Sequence, residues 1–207
     1  MKPAGNGGLL VFDMRPIFWS HSRFMKQTPT FNDIAGEFKV SFGYVRGDMR
    51  AICRGQETIN YTLVLLVGCA CEMLAAARGD RKHPEKILAE VLDPQWKPLA
   101  DALFTALRHG LAHSFDTKHI LVDGVSHQIY MDWHEPRPFR LHQTAGNVQL
   151  FLGTRPLAEL ICKKIDELEI RLQGDPYARA MWYEKAHRYE RDRKLNHHEE
   201  EAWKKLL

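Results

Sequence analysis

Cysteine is scarce in this sequence. Four occur in 207 residues, Cys53, Cys69, Cys71 and Cys162, and none has a CxxC spacing. All four lie within apolar, helix-patterned stretches. That argues for reduced thiols in a cytoplasmic protein, and against a zinc knuckle or a disulfide framework. An excess of one charge is missing too. Lys and Arg number 29 against 26 Asp and Glu, leaving a formal charge of +3. Near balance excludes a polybasic nucleic-acid coat and an acidic disordered tail. It leaves room for a compact phosphate site, which needs only a few local cations. Internal repeats and low-complexity tracts are absent. The opening MKPAGNGG has one lysine and then glycines, and Asp13 and Arg15 interrupt the short apolar run that follows, so no signal peptide fits.

An uninterrupted membrane-length apolar run is also missing. Ile59 to Ala77 comes nearest, but it contains Asn60, Thr62 and Glu72 and is followed by Arg78, Asp80, Arg81 and Lys82. A membrane span takes about 20 apolar residues. The run therefore reads as a central helix surrounded by other helices, with no membrane as partner. Hydrophobic residues make up 44% and charged residues 27%, ordinary globular usage that supports a real core.

The periodicity predicts a mainly α-helical bundle with a small β-hairpin. Residues 1–29 read as an irregular segment with aromatics at Phe18, Trp19 and Phe24. Thr30 is placed to cap a helix whose apolar stripe is Phe31, Ile34, Ala35, Phe38, Phe42, Val45, Met49 and Ile52. After the central helix, a short helix spans Glu85 to Leu92. Another runs from about Gln95 to Ser114, with Leu99, Leu103, Ala106, Leu107, Gly110 and Leu111 as its stripe.

The period then changes. Ile120 to Val122 and Gln128 to Trp133, joined around Asp123-Gly124, read as a hairpin within about 119–133. Phe139 to His142 and Val148 to Leu152 are weaker strand candidates. Thr154 is expected to cap a long helix carrying Leu157, Leu160, Ile161, Ile165, Leu168 and Leu172. These elements make one helical domain over 30–173. Residues 174–207, dense in charge with scattered aromatics, read as a helical arm.

Chemistry concentrates in Arg108-His109-Gly110-Leu111-Ala112-His113-Ser114. His109 and His113 are four apart and share a helix face, a spacing that zinc hydrolases use in H-E-x-x-H. Gly110 stands where that motif has its glutamate, and no third ligand is evident, so no metal is expected. Arg108 and His113 are five apart, or about 140° around a helix. With Leu103, Ala106 and Gly110 on the core face, His113 falls at its edge and Arg108 roughly opposite. Periodicity alone thus also accommodates a hydrogen-bonded edge histidine and an ordinary solvated arginine.

Arg108-His109-x-x-x-His113 resembles the R-φ-x-x-x-H motif of the HEPN family (higher eukaryotes and prokaryotes nucleotide-binding), where φ is a polar residue. The string LRHGLAHSFDTK at the end of a bundle helix, followed by a strand pair and a last helix, is similar to a subset of HEPN-like bacterial proteins. The likeness covers roughly Phe31 to Leu172. It implies a HEPN-like bundle and a metal-independent endoribonuclease of toxin or defence type, with no cofactor. It also implies a homodimer whose two motifs face each other, RNA as substrate, and an antitoxin-type protein as a possible partner. A composite site would remove the 140° objection.

On that reading His113 is general base or acid, and Arg108 holds the scissile phosphate with its planar fork of donors. His109 orients the pair or shares proton transfer, while Ser114 and Lys118 touch neighbouring phosphates. Lys118 also reads as a plain loop lysine. The alternative is a non-catalytic HEPN-like module that binds nucleotide, RNA or a protein.

Glu72 is the one charge within the central apolar run, and it needs an Arg, His or backbone partner. It is a structural ion pair, or it orients Arg108 or a histidine. Asn60 reads as a buried hydrogen-bonding residue or a site neighbour. The other nine histidines form no persuasive constellation. The Trp182, Tyr183 and Tyr189 aromatics of the arm can stack on RNA bases or pack back on the bundle.

Overall fold

Helix α3 (Asn60–Arg78) is the apolar run, and the rest of the fold is arranged around it. Its residues Leu63, Val64, Val67, Gly68, Ala70, Cys71, Leu74 and Ala75 are buried. Those positions span an arc of about 160°, and Leu65, Leu66, Cys69, Met73 and Ala77 on the remaining side are partly buried, so several neighbours are needed to shield the helix. They are α2 (Tyr44–Arg54), α4 (Glu85–Val91), α5 (Ala100–Ser114), α6 (Thr154–Gly174) and α7 (Pro176–His187). Among the described residues, α3 is the one helix long and apolar enough to cross a membrane, and here it forms the centre of the bundle. The computed structural model describes residues 28–55, 59–114, 120–123, 125–144, 147–187 and 204. The N-terminal aromatic patch, Lys118, His119 and most of the chain after 187 lie outside them.

Helix α1 (Phe31–Phe38) starts at Thr30, whose backbone N–H and hydroxyl both donate to Asp33 Oδ2, at 2.7 and 2.8 Å. A π-helical turn over Lys39–Gly43 joins α1 to α2. The extra residue rephases the stripe, so Ile34, Phe38, Phe42, Met49 and Cys53 all reach the core. Arg46 and Arg50 of α2 reach Asp166 of α6 at 2.8 and 2.5 Å, and Arg46 also meets Glu169. Burial pushes the Cys71 thiol well above its ordinary range and raises Cys162 to about 11. Neither supplies a thiolate at neutral pH.

The β region is larger than a hairpin. Strands β1 (Ile120–Val122) and β2 (Val125–His127) pair antiparallel around Asp123, which has φ 49°. The expected partner segment, Gln128 to Trp133, instead supplies β3 (Ile129–Asp132). That strand runs parallel to β5 (Asn147–Gly153), and β5 pairs antiparallel with β4 (Phe139–Thr144). Sheet order is β3-β5-β4. The reason is burial. Pairing with β5 puts Ile129 beside Leu150 on the face that also carries Leu152 and Phe139, and all four are buried.

Two further expectations are corrected. Leu99 belongs to a 3-10 turn before α5 and is 43% exposed. Thr154 is the first residue of α6 rather than its cap. Gly153 holds the cap position, and the Thr154 hydroxyl donates instead to Asn60 Oδ1 at 2.6 Å. That bond satisfies two polar groups between α3 and α6.

Gly153 has a second task. A Cβ there would lie 2.1 Å from the Arg137 carbonyl oxygen and 2.7 Å from that of Glu135, and its N–H donates to Pro138 O at 3.0 Å. The backbone of 135–138 therefore rests directly on Gly153. Gly153→Ala is expected to cost about 1–3 kcal/mol of stability through overpacking, measured as a lower urea midpoint at unchanged slope.

Helix α7 folds back on the bundle, burying Ala178 and Trp182. Arg179 fastens it, donating to Pro29 O at 2.8 Å and to the carbonyls of Leu172 and Gln173 at the end of α6.

Candidate functional site

Helix α5 carries the whole Arg108 to Ser114 segment, with His113 and Ser114 in its last turn. Among its described side chains and Gly110, the buried positions are Ala100, Leu103, Phe104, Ala106, Leu107 and Gly110. That set spans an arc of about 160°, wider than the stripe of Leu103, Ala106 and Gly110, because both α3 and α4 pack on α5. Arg108 is thereby drawn into the α3–α5 contact. It is not the solvated arginine opposite the core that a single-stripe reading gives, for its side chain is only 23% exposed.

Two residues of α3, one turn apart, fix it there. Arg108 Nε donates to Glu72 Oε1 at 3.0 Å, and Nη2 lies 3.5 Å from Oε2. Gly68 provides the space. A Cβ at 68 would fall 2.7 Å from Arg108 Cδ, so the arginine stem crosses α3 over a bare backbone. Beneath it Val67, Cys71, Leu88, Phe104 and Leu107 close the packing around a void of about 10 Å³, too small for a ligand. The arginine is therefore a surface-reaching group held from below.

The pairing settles the local charge. Glu72 is 44% exposed, so it keeps solvent contact and is not buried unpaired. Its carboxylate engages the Nε/Nη2 edge of the guanidinium and leaves Nη1 unused by Glu72. A phosphate arriving there meets oriented N–H donors rather than a strong net positive charge. The expectation that Glu72 takes an Arg, His or backbone partner is met by Arg108. Asn60 stands one end of α3 away, spent on Thr154.

The backbones of His109, His113 and Ser114 are helical, placing His109 and His113 one turn apart on α5. Their side chains, and all of Lys118, lie outside the described residues. Among the described residues no group of three or more His, Cys, Asp or Glu is arranged to hold a metal ion. A wider cleft of about 300 Å³ lies elsewhere, between the 133–136 loop and Arg155, Pro156 and Glu159 at the start of α6.

Sequence reasoning missed the part played by Gly68. A glycine inside a helical run signals close approach of another group, and the arginine on α5 is that group. Comparison of the chain with protein-family models, with curated proteins and with solved structures gave no match.

Proposed function

We propose that this chain is a metal-independent endoribonuclease of HEPN type, acting as a homodimer with a composite site built from the α5 motifs of two subunits. The observation that carries the reading is Arg108. It stands in the R-φ-x-x-x-H pattern, and a carboxylate and a glycine on the neighbouring helix hold it in one orientation. Oriented donors are what a phosphate-binding group needs, because their reorganisation cost is met before substrate arrives.

In this mechanism the 2′-oxygen of the substrate attacks the adjacent phosphorus. The 2′-O–P bond forms and the P–O5′ bond breaks. One histidine takes the 2′-hydroxyl proton and another gives a proton to the 5′-oxygen. His113 fills one of these roles and His109 supports it, while Arg108 donates to the non-bridging oxygens as charge builds. Ser114 and Lys118 contact flanking phosphates. The toxin or defence setting, the cytoplasmic location and an antitoxin-type partner belong to the same proposal.

Glu72 acts on the reaction through Arg108 and is a positioning residue. Glu72→Ala is expected to lower kcat about tenfold with little change in KM, since the fork loses its anchor but stays present. Glu72→Gln keeps an acceptor for Nε and should restore most of the rate. A pair that served stability alone would change the unfolding midpoint and leave kcat as it was.

A further inference from the structure

We infer that the outer face of the β3-β5-β4 sheet is a stacking platform for the bases of single-stranded RNA. The inference deepens the ribonuclease reading and rests on it, for it names the form of RNA this chain would hold. The sheet buries one face, with Ile129, Leu150, Leu152 and Phe139, in the core. Strand alternation sends Tyr130, Phe151, Arg140 and His142 to the other face.

Register puts three of them in one row, since Phe151 on the central strand pairs with Tyr130 on one side and Arg140 on the other. The rings of Tyr130 and Phe151 stack at 5.5 Å between centroids and 28° between planes. Arg140 Cζ lies 5.1 Å from the Phe151 centroid, and His142 meets the same ring edge-on at 6.3 Å. The row ends on Tyr130, which is 39% exposed.

The arginine in the row is fixed from beneath, as Arg108 is. It pairs with Glu135, whose side chain is only 3% exposed and whose Oε1 accepts the Arg137 N–H at 3.2 Å. Tethering that guanidinium orders the row on which a base would stack. A row of planar groups ending in an exposed ring, with a guanidinium and an imidazole beside it, matches nucleobases and phosphates better than an aliphatic protein surface. Paired bases hide their faces, which selects single strands over duplex. The hairpin β1-β2 touches both α5 and β5, so the platform is linked to the motif helix through a short element.

The test is fluorescence anisotropy with a labelled oligouridine of roughly twelve nucleotides, in a His113→Ala background so that the RNA is not consumed. Tyr130→Ala should weaken binding about tenfold, Tyr130→Trp should match or exceed the parent, and a duplex of equal length should bind far more weakly. Phe151→Ala repeats the test at the central strand, with the melting temperature confirming that it folds.

Unchanged binding in Tyr130→Ala and Phe151→Ala overturns the platform. So does unchanged RNA binding together with a lost self-association or protein contact, which would make the face a protein interface. The two readings fail separately. Tyr130-dependent binding without cleavage leaves the platform and removes the ribonuclease, whereas His113-dependent cleavage with no effect at Tyr130 does the reverse.

Discussion

His113→Ala is expected to slow RNA cleavage by about two to four orders of magnitude under single-turnover conditions, the range that positioned proton transfer supplies. Arg108→Ala should cost a similar amount, because it removes the donors that meet developing charge on the phosphate. Arg108→Lys should rescue little, since an ammonium cannot bond Glu72 and a phosphate oxygen with one rigid plane. The two losses should not add. Residues that act as one unit lose most of their effect with the first removal, so the double variant should sit close to the worse single one. The melting temperature of each variant, measured alongside, separates a loss of cleavage from a loss of fold. A subunit-mixing assay extends the prediction to the composite site. Combining Arg108→Ala chains with His113→Ala chains should recover part of the activity if one intact arginine and one intact histidine can meet across the interface.

Gly68→Val should lower cleavage about a hundredfold while altering no residue of the motif. An ideal Cβ at 68 already falls 2.7 Å from Arg108 Cδ, and valine adds two methyl groups to it. The stem must leave its path across α3, taking the guanidinium away from Glu72. Misplacement by about 1 Å is enough for a loss of this size. A smaller fold penalty accompanies it, about 1–3 kcal/mol from overpacking. Measuring cleavage well below the melting temperature separates the two effects. Gly68→Ala should give the same pattern in weaker form, and the Gly68→Val, Arg108→Ala double variant should cleave no worse than Arg108→Ala alone.

Much of the helical framework was legible because burial forces it. The Ile59 to Ala77 run has too many apolar positions for one stripe, so it had to be surrounded, and α3 is. Phe31 to Ile52 was readable as helix, although the π turn over Lys39–Gly43 was not. The stripe tolerates one extra residue when both halves still meet the core.

Strand partners were less visible. Alternation shows that Ile129 to Asp132 is a strand, but β5 lies far along the chain, and only the shared apolar face selects it over the nearer β1. The same limit hid the Tyr130, Phe151 and Arg140 row, which register assembles from three separate strands. At the site, the motif and the need of Glu72 for an Arg, His or backbone partner were both legible. The environment of Arg108 was not. A helical wheel assumes one covered face, whereas α5 is covered by both α3 and α4.

The nature of the product ends tests the central claim most directly. The parent protein is incubated with a single-stranded RNA in excess chelator, and the fragments are weighed by mass spectrometry. Attack by the 2′-oxygen predicts fragments ending in a 2′,3′-cyclic phosphate and beginning with a 5′-hydroxyl, with a 2′-deoxy substitution blocking the cut at that position. Intact RNA, or fragments bearing 3′-hydroxyl and 5′-phosphate ends, would contradict it.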